Sequence, residues 1–370
     1  MPRIDRRLVT TASAWLEGID PGAHRRVKGL RLVTAYALAA MTGTMADIAR
    51  QAPDRGTLPA LAGGFALWAS VSEGRSTRLE SSRDLTLLSA AAALGAITHV
   101  LLTVPLTYLG RWGPELSLVS GAFLVSYLRR FGLTGAGLGS QIYIGQLLAY
   151  TAELGLPDLP TILIAGMVAS LAAVVPRLLS GPAEQPLPFT RTMAISSAVD
   201  PELAMGFQAA AAALIVVLAN AAIGLMESAW AITASTYVIA GSSVGTLDRV
   251  WRRIVGTVVG VSLGLCCLPL TTTWPLVIWA FAALAMVIYA LALPKRYDIA
   301  CAGYAFTLVV TLAISGVHSV PLLASRAWET VLGGTLGLAA ATLFLPIHIP
   351  KRTCQSALEG NVSSEKTSRP

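Results

Sequence analysis

Two arginines stand at the starts of long apolar runs, and both are placed to hold an anion. The first is Arg253, in LDRVWRRIVGTVVGVSLG, residues 247–264. Gly256 and Thr257 lie one helical turn further in, on the same side. A guanidinium, a hydroxyl and an uncovered patch of backbone would then share one face. The second is Arg326, in LASRAWETVLGGTLG, residues 323–337, with Glu329 three positions on and able to pair with it. A charge inside hydrocarbon costs about 2.5–3.5 kcal/mol on insertion scales. A buried Arg326 therefore needs Glu329, or a bound carboxylate, to offset that cost. Tyr237 and Tyr304, within neighbouring apolar runs, add hydroxyls and ring faces. Arg253, Thr257, Arg326, Tyr237 and Tyr304 together make a candidate site for an organic anion with a ring. Glu329 and Glu227 are the candidate proton carriers, with Asp298 a similar carboxylate at the start of a run.

Each feature also has a plainer use. Arg252 and Arg253 suit an inner-surface anchor whose stems snorkel to the headgroups. Arg326 and Glu329 suit a paired charge at the outer interface, and Glu227 and Asp298 suit helix ends. Asn220, Thr233, Thr236, Gln141, Tyr143 and Gln146 are polar residues deep in apolar runs, where most find partners between helices. Gly256, Gly260 and Gly264 recur at intervals of four, as do Gly333 and Gly337. That spacing clears one face of a helix for close packing, or leaves room along a route.

These residues require elements that cross a membrane. Of 370 residues, 54% are apolar and 13% charged, and the mean hydropathy is +0.65. Twelve apolar segments follow one another, at 30–49, 56–72, 84–104, 112–128, 133–152, 158–178, 203–224, 227–245, 253–271, 274–294, 298–316 and 321–346, with ten or eleven spans as the lower alternatives. They are rich in Ala, Gly, Leu and Val and lack the ten-residue alternation of barrel strands, so the fold class is all-α integral membrane. With the N-terminus inside, all 27 Lys and Arg fall in inner segments except Arg50, Arg55, Arg111 and Arg326. That asymmetry is the positive-inside pattern, and it places both termini in the cytoplasm.

Residues 178–202, LLSGPAEQPLPFTRTMAISSAVDPE, carry no span and divide six segments from six. Arg83 and Arg253 are 170 residues apart, and so are Pro176 and Pro346, each ending a sixth segment. Six spans per half put both halves in the same orientation, a parallel repeat. The organisation expected is a cytoplasmic or interfacial segment 1–29, a first six-helix repeat 30–178, a cytoplasmic linker 179–202, a second repeat 203–347 and a polar tail 348–370.

Several classes are set aside. The net charge of +7 resides in short loops between apolar runs, so it argues for topology and not for nucleic acid. Cys266, Cys267, Cys301 and Cys354 form no CxxC pair, and the four histidines are scattered singly, so no metal site and no cofactor are expected. No nucleophile–base or phosphate-binding constellation marks an enzyme. The partners expected are the lipid bilayer and a small organic anion; any periplasmic or membrane subunit is left unidentified.

Two families compare with these motifs. VGTLDRVWRR is similar to the major facilitator loop pattern, but its glycine spacing is off by one and Trp251 stands where glycine belongs. RRIVGTVVG resembles the Arg-x-x-Gly-Thr-x-x-Gly signature of the fusaric acid resistance (FUSC) family, through Arg253, Gly256, Thr257 and Gly260. RAWETVLGG resembles, more loosely, a later Arg-containing span of that family. The resemblance is sharp over about 225–346. It implies a bacterial inner-membrane protein that exports small aromatic or other organic acids. The chain departs from longer members in having no large cytosolic domain between its halves. The alternatives are a passive organic-anion channel, laid out like the plant malate channels the family resembles, a major facilitator-type transporter, and a membrane scaffold that transports nothing.

Overall fold

A computed structural model describes residues 18, 20–51, 56–74, 77–180, 200–293, 295–314 and 319–345. Most of the N-terminal segment, the linker core 181–199 and the tail, with Pro346 and Cys354, lie outside the described residues. Helices α1 (His24–Ala49), α2 (Thr57–Ser72), α3 (Arg78–Leu106), α4 (Leu116–Tyr127), α5 (Gly132–Thr151) and α6 (Leu159–Leu179) precede the linker. After it come α7 (Pro201–Ile223), α8 (Ser228–Val238), α9 (Ser243–Cys266), the short α10 (Leu268–Thr273), α11 (Pro275–Ala292), α12 (Tyr297–Ile314) and α13 (Val320–Leu343). Every one of the twelve expected segments contains a helix, and no strand occurs among the described residues. Six helical stretches are long and apolar enough to cross a bilayer by length and composition: Pro21–Ala49, Arg78–Leu109, Leu156–Leu179, Pro201–Ile223, Pro275–Ala292 and Tyr297–Ile314.

The boundaries move in three places, each for a local reason. The arginines at 249, 252 and 253, read as a loop, are helical: Ser242 caps α9 by accepting from the Gly245 N–H, so the charged residues form its first turns. Thr77 caps α3 in the same way, which makes Arg78 and Arg83 helical too. The segment expected at 227–245 is helical only over eleven residues, about 16 Å of rise. Beyond Val238 the backbone turns extended at Ile239. Side chains satisfy the groups so freed: Arg249 donates to the Ile239 carbonyl (3.2 Å) and Thr246 Oγ1 accepts from the Ala240 N–H (3.0 Å). Finally, α9 stops at Cys266, and Pro269 begins a separate turn, α10.

Packing in the second half is set by missing side chains. A Cβ at Gly256 would strike the Asp298 carbonyl, and one at Gly260 would strike that of Ala302, so α9 lies on α12 backbone to backbone. Gly333 and Gly337 seat α13 on Ala231 and Ser235 of α8. In the first half, Gly95 of α3 meets the Ile142 carbonyl and Gly145 of α5 meets that of Ala92. The neighbours also correspond: α3 packs on α5 and α6 as α9 packs on α12 and α13, and α2 lies on α6 as α8 lies on α13. Between the halves, α4 packs on α7 and α11 packs on α1.

Candidate functional site

A cavity of about 880 Å³ lies between the halves. The first half contributes α1, α2 and α5 to its wall; the second contributes α8, α9, α11, α12 and α13. Arg253, Thr257, Tyr237, Tyr304 and Arg326, drawn from four helices, all line it, as does Glu227 at the N-terminus of α8. Glu329 is buried beside this wall and does not line it.

Arg326 is 7% exposed. Its guanidinium carbon lies 4.3 Å from the ring centre of Trp230, a cation–π contact, and its Nη2 is 3.6 Å from Glu227 Oε2. Trp230 Nε1 donates to the same oxygen at 2.9 Å. Arg326 Nε and Nη1 are buried and have no hydrogen-bond partner. The pairing differs from the expected one, because the cation is met by Glu227 across the helix interface. The Glu329 carboxylate, three residues along α13, accepts the Glu227 N–H through Oε1 (2.8 Å), and its Oε2 has no hydrogen-bond partner.

Arg253 Nη1 donates to the Tyr297 hydroxyl at 3.1 Å, and its Nε is buried without a partner. Thr257 follows one turn into the cavity. Rings fill much of the wall between the arginines. Tyr304 packs edge-on against Trp68 (5.3 Å between centres) and tilts toward Trp230 (6.4 Å). Tyr237 shares a hydrogen bond with Ser140 (2.7 Å), and Tyr143 with Thr233 (2.8 Å).

The remaining polar residues of the runs have local partners. Gln141 donates to Ser72 and Gln146 to Ser120. Asn220 donates to Glu115, which also accepts from Tyr150 and Ser228, in a buried knot joining the halves. Asp298 is held by Arg296 (2.8 Å) away from the cavity. Between α4 and α5, burial pushes the Arg129 guanidinium below its usual pKa; nearby Arg249 acts the same way and Glu202 opposes. Among the described residues, no three His, Cys, Asp or Glu side chains cluster as a metal site would need. Arg83, the first-half residue matching Arg253 by spacing, lies in a separate hollow of about 220 Å³ beside Glu80 and Asp84.

Comparison with known proteins points to the same helices. Residues 207–340 match the family described as fusaric acid resistance protein-like. The match covers about a third of the chain, all of it after the linker. The matched segment runs from α7 into α13 and contains Glu227, Arg253 and Arg326, the charged residues of the cavity wall. Neither a curated protein nor a solved structure matches the chain. The family match and the apolar helices together support a multi-pass membrane protein. Sequence reasoning did not select Trp68, Trp230, Tyr289 or Tyr297, all of which line the cavity. Only Trp230 carried a signal, lying one turn after Glu227.

Proposed function

We propose that this chain exports small organic acids, aromatic ones foremost, across a bacterial inner membrane. The observation that carries the reading is Arg326, a buried guanidinium with two unpartnered donors in the wall of a ring-lined cavity. A carboxylate is the group those donors suit. Arg253 collects the anion at the inner mouth and Arg326 receives it toward the outer side. Thr257, Tyr237 and Tyr304 supply hydroxyls, and Trp68 and Trp230 supply faces for the substrate ring.

Twelve spans in two parallel six-helix repeats, with both ends cytoplasmic, are the architecture proposed around this site. The corresponding neighbours of the two halves support it, as does the distribution of Lys and Arg. Coupling would run through Glu227, whose carboxylate adjoins Arg326, and Glu329, which accepts the Glu227 N–H: a proton taken up there cancels charge that otherwise competes with the substrate for the guanidinium.

The test is anion flux in vesicles holding the purified chain, with benzoate-type acids as probes. Uphill movement driven by an imposed pH gradient supports coupled export. Downhill movement alone leaves the passive channel. No movement of any acid rejects transport of this class and returns the chain to a scaffold.

A further inference from the structure

The two interfaces between the halves are made differently. At α4–α7, Leu118, Ala122, Met205, Ala209 and Val216 belong to one continuous buried cluster, and Gly206 lies against Phe123. Neither α4 nor α7 contributes a residue to the cavity wall. At α1–α11 the buried cluster is small, Leu32, Met286 and Ala290, and lies toward the start of α1, where Gly29 presses on Val287. Half-way along α1 the interface opens, and Tyr36 and Ala37 line the cavity opposite Trp279. Trp279 is 37% exposed, and Ala37 is exposed as well, so these residues face the cavity and the outside of the bundle together. The Tyr36 and Trp279 rings stand 6.5 Å apart at 34°, a loose curtain and not a seal.

The geometry points to a lateral opening between α1 and α11, through which amphipathic organic acids reach the cavity from the bilayer interior. The inference rests on the acid-export reading above. At mid-helix the outside of the bundle is hydrocarbon, which admits the apolar end of such an acid. The α4–α7 interface is apolar and closed, so access is one-sided. Acids with an alkylated ring, which concentrate in the bilayer, use this opening; strongly hydrated acids use the aqueous mouth at Arg253.

The experiment uses the full chain in vesicles and two acids of equal charge, a benzoate bearing a butyl chain and a benzoate bearing two hydroxyls. Ala37→Trp fills the opening. Butylbenzoate flux is expected to fall about tenfold, equivalent to about 1.4 kcal/mol, with dihydroxybenzoate flux held. Leu284→Trp, on the outer face of α11, adds the same bulk away from the opening and leaves both fluxes unchanged. A second measurement needs no variant: at fixed aqueous concentration, wild-type butylbenzoate flux rises with the amount partitioned into the membrane. Lateral access is overturned if Ala37→Trp slows both acids alike or neither, or if the wild-type rate follows the aqueous concentration alone. A wild-type chain that moves neither acid overturns the export reading instead.

Discussion

Replacing Arg326 by glutamine tests the site most directly. In the resting chain this guanidinium spends one nitrogen on Glu227, at 3.6 Å, and one face on Trp230. Nε and Nη1 are buried without a hydrogen-bond partner and are the donors proposed to meet a substrate carboxylate. A hydrogen bond to a charged group contributes about 1.5–3 kcal/mol, and 1.4 kcal/mol is about tenfold in affinity. Arg326→Gln is therefore expected to weaken binding of a benzoate-type acid by about 10- to 100-fold. Arg326→Lys keeps the charge and loses the fork, so it should fall between. Truncation also strands Glu227 without its cation, so Glu227→Gln/Arg326→Gln separates lost binding from a destabilised fold. Calorimetric titration of purified protein gives the affinity, and thermal melting in detergent reports the fold. Binding by Arg326→Gln within twofold of wild type, at an unchanged melting temperature, would show that the unpartnered donors do not meet the substrate.

Three further outcomes follow from the same geometry. Arg253→Gln should reduce acid flux about tenfold, from a lost charge-assisted contact, whereas Arg83→Gln, whose side chain lies beside Glu80 and Asp84 outside the cavity, should leave flux at wild type; equal effects in the vesicle assay would contradict the assignment. Glu329→Gln should abolish uphill transport driven by a pH gradient and preserve downhill exchange, and retained uphill transport removes the carboxylate from coupling. Gly333→Ala should destabilise the chain by about 1–3 kcal/mol, as overpacking does, because its Cβ meets the Ala231 carbonyl; Gly334→Ala, whose nearest contact is a Val250 methyl at 3.3 Å, should melt near wild type.

What could be read in advance followed from physics that is local in sequence. Hydropathy locates a helix wherever the chain must satisfy its backbone in hydrocarbon, so all twelve segments emerged. Helix ends were less legible. The break after Val238 depends on Arg249 and Thr246 reaching back to Ile239 and Ala240, contacts that no window average contains. The glycine interval announced a close-packed face on α9 without naming α12 as its neighbour. At the site, the arginines were visible because a charge in an apolar run is costly and rare. Tyr237 and Tyr304 were also selected, but four other rings were not, since Trp68 and Tyr289 look like any aromatic residues of a span until three-dimensional packing brings them to one wall. The expected Arg326–Glu329 pair illustrates the same limit. Helical spacing permits it, yet α8 delivers Glu227 to the guanidinium from outside the helix.

The halves contribute different chemistry to the one cavity. Both halves pack their third helix on their fifth, yet in the first half the third-helix arginine, Arg83, shares its hollow with Glu80, Asp84, Leu87 and Thr134. In the second half the corresponding Arg253 faces Tyr297 and an open wall. Two equivalent anion sites would load independently and bring two like charges into one low-dielectric space, at a cost that rises as their separation falls. The cavity wall instead carries one guanidinium from α9, Arg253, and one from α13, Arg326, both within the family-matching segment. The first half then supplies rings, small residues and a wall. On that division, calorimetry should find one bound acid per chain, and a stoichiometry of two would mean that the Arg83 hollow also takes substrate.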